Sequence, residues 1–596
     1  MKKIVLFAIS LTLLVAMLAL SAYAANIGSA ADLTKLINDT SKWDGEYVLT
    51  KDIDISGQTL GTIGTYEKAF TGTFDGNGHT VTVDILSSEC GGLFGVVEGA
   101  TIKNLTVKGR IECTFGAENA ETKLESGYSA TGGVIGVVHT GSVIENCVNY
   151  AEVYGPCNVG GVIGLINNVG EVTVDIIDCA NYGQVHSTYG NMAGVIGRIR
   201  TQTEVVPALT VKGCANYADL HYESEDRARL AGIAGYVRSN TGFIIIENCR
   251  NEGNLEGVNG ATASANFPFV GAMSGRVEMV GESSGIHYIG CYNSGMMSST
   301  KYAAGMIALL TRDDACILNS FTLKDCVNVG AITGGTYAGG MIAHSKNDCM
   351  ADTRAEIVNC LNTAPIVAEG SAGGMIGRQY GFDIKNSVNL GTVTGSICGG
   401  LVGKAEGQIF CEVANSFYPD TMTVATGMPT PFCMDSGSKT FPAGAANSSA
   451  SFAGLDLATD WTMGTLCPVP KSMADVEIVI PTENAPALTP PAPETTAAPE
   501  TTAPAETTVP AETTAVPAET TAAPVETTAA PVETTVAPET TEKPVETTAA
   551  PVVTTKAPAA PAPAEDGAPV GLIIGIVAAV VVVAAIVVVI LKKKKA

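Results

Sequence analysis

The stretch Gly132-Gly-Val-Ile-Gly136, followed ten residues later by Asn146-Cys-Val-Asn-Tyr-Ala-Glu-Val153, holds both halves of a unit that recurs through the chain. The first half returns as Gly91-Gly-Leu-Phe-Gly95, Gly160-Gly-Val-Ile-Gly164, Ala193-Gly-Val-Ile-Gly197 and Ala231-Gly-Ile-Ala-Gly235. It continues as Ala304-Gly-Met-Ile-Ala308, Gly339-Gly-Met-Ile-Ala343, Gly373-Gly-Met-Ile-Gly377 and Gly399-Gly-Leu-Val-Gly403, with a degenerate copy at Gly271-Ala-Met-Ser-Gly275. The second half returns as Asp178-Cys-Ala-Asn-Tyr-Gly-Gln-Val185 and Asp325-Cys-Val-Asn-Val-Gly-Ala-Ile332, and copies lie roughly 26 to 42 residues apart. The unit has no 3.6-residue period. It offers short alternating β-branched runs broken by Gly and Asn, which read as strands and corners. Such a unit cannot bury its aliphatic face alone, whereas stacked copies make one continuous core. The pattern predicts an all-β solenoid, a parallel β-helix of about ten coils and, at ~4.8 Å per coil, a rod about 50 Å long. Gly pairs suit corners that need φ > 0 or close contact between coils.

Stacking the copies creates columns. One holds Cys147, Cys179, Cys214, Cys249, Cys291, Cys326 and Cys360, continued by Ser387 and Ser416. Two residues later stand Asn149, Asn181, Asn216, Asn251, Asn293, Asn328, Asn362 and Asn389. A corner Asn tolerates the left-handed region, and its amide can reach the Asn one coil away, so these residues predict an internal ladder at left-handed corners. Sixteen cysteines in an exported chain would ordinarily suggest disulfides. Parallel Cβ atoms one coil apart, at ~4.8 Å, are wider than a disulfide prefers, so the column is expected to hold free thiols facing the core. Cys-x-x-Cys is absent and the six His are scattered, so no metal or cofactor is expected.

The flanks differ from the repeats. Residues 1–24 carry Lys2 and Lys3, an apolar run and Ala22-Tyr23-Ala24, the pattern of a secretory signal peptide. Residues 570–591 are uncharged, long enough to cross a bilayer as a helix, and precede Lys592–Lys595 in the tail 592–596, which places the C-terminus in the cytoplasm. Residues 482–566 repeat a unit close to Ala-Pro-Val-Glu-Thr-Thr, and Pro at that density forbids helix and sheet. Extended as polyproline II at ~3.1 Å per residue, the segment reaches about 260 Å, an exported spacer with plausible O-glycosylation at its Thr-Thr pairs. Between signal and spacer, 25–69 reads as an N-terminal cap with a helix begun by Ser29, 70–420 as the coils, and 421–481 as a cap closing the far end. The expected product is a single-pass protein of the cell surface.

Phe70-Thr-Gly-Thr-Phe-Asp-Gly-Asn-Gly-His79, followed by Gly91–Gly95 and Ile102-Lys-Asn-Leu-Thr-Val107, resembles the GLUG-motif group of bacterial surface proteins. That group is similar in turn to the pectate-lyase-like superfamily, which implies a right-handed β-helix over about residues 45 to 420. The superfamily includes adhesins, polysaccharide lyases and hydrolases, so the resemblance implies fold more than activity. Some large secreted peptidases carry GLUG repeats as accessory regions, but this chain has no His-Glu-x-x-His motif.

A formal charge of −25 argues against nucleic acid as a partner. A lyase or glycosidase needs clustered carboxylates, usually with Arg, Lys or bound Ca²⁺, on one outer face, and most columns fail that test. One face is richer: Tyr150, Tyr182 and Tyr217 precede by two residues Glu152, Gln184 and Asp219. Period-2 alternation turns both rows outward and Val153, Val185, Leu220 and Leu255 inward. Stacked aromatics beside amides and carboxylates suit sugar rings, through C–H/π contact and hydroxyl hydrogen bonds. The structural alternative is a tyrosine ladder that only steadies neighbouring coils. Under an enzyme reading Glu152 and Asp219 would stand two coils, ~9.6 Å, apart, near the spacing of an inverting carboxylate pair. A weaker stripe, His344, Arg378 and Lys404, falls four residues after the second Gly on three successive coils and is the candidate contact for a polyanion. The sequence as a whole predicts an adhesin or display module for an extracellular glycan or a component of a host or neighbouring cell. Its rivals are a surface-tethered polysaccharide lyase or glycoside hydrolase, and a structural coat component.

Overall fold

The structure is a computed structural model that describes residues 24–114, 129–203, 207–224, 228–259, 267–281, 283–312, 320–347, 355–407 and 409–481. The chain divides into two units, 1–496 and 497–596, and the second lies outside the described residues. So do the predicted spacer, the membrane helix and all but the last residue of the signal peptide. Among the described residues no helix is long and apolar enough to cross a membrane.

The described residues of the first unit are almost entirely β, with long parallel sheets in the arrangement of a parallel β-helix. The Gly-Gly motif forms one edge of each coil in a ten-stranded parallel sheet, from Cys90–Gly91 to Ile397–Gly399. Its register keeps the motif in line: Gly160 pairs with Ala193, Ala193 with Ala231, Ala304 with Gly339, and Gly373 with Gly399. The first aliphatic residue of each copy points inward, so Val134, Val162, Val195, Ile233, Met273, Met306, Met341, Met375 and Leu401 form one buried column. Each such side chain contributes about 1.5–3 kcal/mol of burial that an isolated unit would not realise.

Asn149 to Asn389 form a continuous ladder in the core. Asn149 Nδ2 donates to Asn181 Oδ1 at 2.9 Å, Asn181 to Asn216 at 3.0 Å, Asn216 to Asn251 at 2.9 Å, and Asn251 to Asn293 at 2.9 Å. Asn293, Asn328 and Asn362 continue it at 2.7–2.8 Å, and Asn389 ends it on the carbonyl of Gly400 at 2.9 Å. Each amide also donates to the carbonyl two residues ahead, as from Asn216 to Ala218 at 2.9 Å. Both N–H groups are thus used at fully buried positions. This ladder explains the second glycine of the motif: a Cβ on Gly133, Gly161 or Gly194 would lie 2.1 Å from the Oδ1 of Asn149, Asn181 or Asn216.

The left-handed corner lies elsewhere than the sequence suggested. The residue before the Cys column has positive φ (Asn146 50°, Asp178 51°, Gly213 65°, Asn248 53°, Gly290 60°, Asp325 55°), whereas the ladder asparagines do not. Asn, Asp and Gly are the residues that adopt this region at least cost, which accounts for their alternation there. Short outer bonds join some of these corners, as from Asn146 Nδ2 to Asn104 Oδ1 at 3.0 Å. The seven cysteines of the column are buried free thiols. Their S–H groups reach backbone carbonyls, for example from Cys249 to Val211 at 3.5 Å, and burial pushes the Cys291 and Cys326 thiols well above their ordinary value.

At the N-terminal end the helix Ala30–Asn38 is capped by Ser29, whose Oγ accepts from the Asp32 N–H at 3.2 Å, and buries Leu33, Leu36 and Ile37. The C-terminal segment behaves otherwise than a plug. Strands Thr426–Met428, Cys433–Asp435 and Lys439–Phe441 add a further turn to the stack. The chain then doubles back along the flank as a strap, packing Phe452, Trp461, Cys467, Val469 and Met473 on the outward side chains of Tyr292, Val327, Leu361, Val388 and Phe417. Near its end the Glu477 carbonyl accepts from Tyr292 Oη at 2.9 Å, and the Val479 carbonyl from Thr363 Oγ1 at 2.5 Å.

Candidate functional site

Leaving the Asn ladder, the chain turns Tyr150, Tyr182 and Tyr217 outward and then alternates. Glu152, Gln184 and Asp219 face solvent, while Val153, Val185, Leu220 and Leu255 are buried. Tyr150 and Tyr182 are 48% and 43% exposed, a large aromatic surface to leave in water. Two residues further on, Tyr154, His186 and His221 make a third outward row, one that sequence reasoning passed over although the same alternation reaches it. Tyr154 and His186 stack at 4.4 Å. Lys108, 5.4 Å from the Tyr150 ring, and Arg110, 3.9 Å over Tyr154, bound the patch at one end. Glu256, 3.0 Å from His221 Nδ1, lies at the other.

The rings do not lie flat on the surface. Tyr150 and Tyr182 stack with centroids 4.8 Å apart and planes within 7°, and Tyr182 and Tyr217 at 4.6 Å and 11°. Tyr182 therefore has a ring on each side and offers edge and hydroxyl outward. Its hydroxyl is pushed up from the usual phenol value by burial and by the neighbouring Tyr217 and Tyr150. Face-on contact with a sugar, the mode expected from sequence, is restricted by this stacking. Hydrogen bonding to a row of phenol, carboxylate and amide groups is not. The two carboxylates are already engaged: Glu152 accepts from Tyr154 Oη at 3.2 Å and lies 3.7 Å from Arg110, and Asp219 Oδ1 accepts the Asn254 backbone N–H at 2.7 Å. Gln184 stands on the coil between them.

His344, Arg378 and Lys404 do occupy one column in register. They do not form an open cationic stripe. Arg378 and Lys404 both pair with Glu406, and Arg378 also donates to Tyr337 Oη at 2.5 Å and Tyr380 Oη at 3.2 Å. His344 is 7% exposed and packed edge-on against Tyr302 and Tyr337 at 5.4 and 4.9 Å. Burial, reinforced by Arg378, holds His344 down to about 3, so its imidazole is neutral. Burial opposes ionisation of Glu406, but hydrogen bonds from Lys404, Tyr380 and Arg378 outweigh it and hold the carboxyl at about 2. Earlier coils of the same column carry Arg198, Tyr236 and Arg276, again four residues after the motif's second position. That spacing was available in the sequence. Among the described residues no cluster of His, Cys, Asp and Glu is arranged to hold a metal ion.

No protein-family model matches the chain. Over 163 residues it is 29% identical to halomucin from Haloquadratum walsbyi, a stretch covering 25% of this chain and only 2% of that protein. A solved structure of a candidate immunoglobulin A1 protease from Bacteroides ovatus is matched over 75% of this chain and 92% of that one, at 13% identity and a TM-score of 0.25. A score that low carries no argument about this chain.

Proposed function

We propose that the chain is a cell-surface binding module: a right-handed parallel β-helix, exported, carried on the Pro/Thr/Glu spacer and anchored by the apolar segment 570–591. Its ligand is a glycan or a glycan-bearing component of a host or neighbouring cell. The observation that carries this reading is the three-row patch. On three successive coils the rod exposes Tyr150, Tyr182 and Tyr217, then Glu152, Gln184 and Asp219, then Tyr154, His186 and His221. A regular grid of phenol, amide, carboxylate and imidazole groups repeating every ~4.8 Å suits the hydroxyls of an extended saccharide. The partial likeness to halomucin fits a surface protein. The resemblance to GLUG-motif surface proteins supports the fold and the location in the same way.

A glycan array probed with residues 25–481 tests the reading. A retained glycan whose affinity drops at least tenfold in Tyr182→Ala or Gln184→Ala is expected, and unchanged affinity in both removes the patch from the site. Catalysis is the weaker reading because Glu152 and Asp219 are tied up by Tyr154 and by the Asn254 backbone. Reducing-end or unsaturated-product release that Glu152→Ala abolishes would reverse that ranking. A coat component would show neither binding nor turnover, only self-association.

A further inference from the structure

A second constellation lies on a different face, where the short Gly-Gly strand meets the next strand of the coil. Arg198, Tyr236 and Arg276 are in register on one side of this corner, and Asn191, Arg229 and Phe269 on the other. The guanidinium carbons of Arg229, Arg198 and Arg276 lie 4.6, 5.2 and 5.6 Å from the Tyr236 ring centroid. Arg198, Arg229 and Tyr236 are 5–6% exposed and form a floor, while Arg276, Arg238 and Glu278 are more open and form a rim. Glu278 is shared three ways: it lies 2.8 Å from Arg276, 3.6 Å from Arg238, and accepts from Tyr236 Oη. Arg229 donates to Asn191 Oδ1 at 2.8 Å, and among the described residues the Nε of Arg229 and of Arg276 have no hydrogen-bond partner. Burial and the adjacent charge of Arg276 bring Arg229 down to about 10.

A buried guanidinium without full compensation is costly, and a chain of charge −25 has no general need for positive charge. Guanidinium forks match multi-oxygen anions in geometry as well as charge. Among the described residues one carboxylate, Glu278, is divided among three donors, so the guanidinium groups outnumber it, and cations distributed around a ring are best bridged by a group with three acceptor oxygens. We propose that this arginine cluster is an oxyanion site for a sulfate or phosphate ester borne on a saccharide, held by Arg276 at the rim and Arg229 beneath it.

The test is titration calorimetry of the full-length chain with glucose 6-sulfate, glucose 6-phosphate, glucuronate and inorganic sulfate. Binding of at least one ester, at least tenfold tighter than glucuronate and weakened by added NaCl, is expected. Arg276→Gln, at the open rim, should weaken it at least tenfold, Arg276→Lys should restore only part, and Lys35→Gln on the N-terminal helix should leave it unchanged. Should Arg229→Gln not fold, the two Arg276 variants carry the test. No binding of either ester, glucuronate binding as tightly, or an unchanged Arg276→Gln overturns the site. Inorganic sulfate binding as tightly as the esters overturns its assignment to a saccharide.

Discussion

Asn216 ties three successive coils together. Its amide links the coils on either side, and its Oδ1 occupies the space where Gly194 lacks a side chain. Asn216→Ala leaves a donor on Asn181 and an acceptor on Asn251 unpaired at fully buried positions. It should destabilise the rod by about 2–4 kcal/mol, read as a shift in the urea unfolding midpoint. Gly194→Ala should do comparable damage from the other side of the same contact. His344 and Glu406 make separate predictions about pH. His344 sits among Tyr302, Tyr337, Arg378, Lys346 and Glu406 and refuses a proton until about pH 3, whereas unfolded it takes one near 6.5. Stability therefore falls as pH drops from about 6.5 to 3, and His344→Phe should flatten that part of the curve. Glu406 is ionised down to about 2, so its contribution is complete above its unfolded value near 4.5 and is lost as pH falls through 2. Denaturation midpoints measured against pH should show Glu406→Gln removing only the lower segment.

At the scale of the element, the coils were legible in the sequence because stacking imposes its own periodicity. The Cys and Asn columns and the inward Val and Met positions repeat where the backbone repeats. The direction in which the tyrosine rings tilt was not legible, since alternation sets which side a residue faces but not how neighbouring rings lie. The strap was missed for a different reason. Between the Cys and Asn columns the outward position reads Val148, Ala180, Ala215 and Arg250 and then turns to Tyr292, Val327, Leu361, Val388 and Phe417. An outward column that becomes bulky and apolar at one coil and remains so to the end is a surface awaiting a cover, and the strap is that cover. Trp461, fully buried in this contact, is its largest anchor. Trp461→Ala should cost about 3–5 kcal/mol of strap attachment and expose the apolar column, visible as dye binding and earlier aggregation on heating while the far-UV strand signal persists.

Taken whole, the rod behaves as a one-dimensional stack in which each coil depends on its neighbours. Asp178 and Gly213 are equivalent corners one turn apart, both at positive φ. Deleting residues 178–212 joins Ile177 to Gly213 and removes one complete turn. The shortened chain is expected to keep its parallel strand signal and to lose about 4.8 Å of length in small-angle scattering. Loss of folding in that deletion would show that the coils are not interchangeable. The strap carries a mechanical consequence. Because it ends at the level of Thr363 and Tyr292, the chain leaves the described fold from the rod's side, several coils short of the last turn. Tension applied at Pro481 meets the strap before it reaches the stack. The strap's contacts load one at a time, as in peeling, whereas the coil-to-coil hydrogen bonds lie along the rod and are spared until the strap has come away. The flank segment is thus placed to yield first under pull, a fuse ahead of the ladder of asparagines.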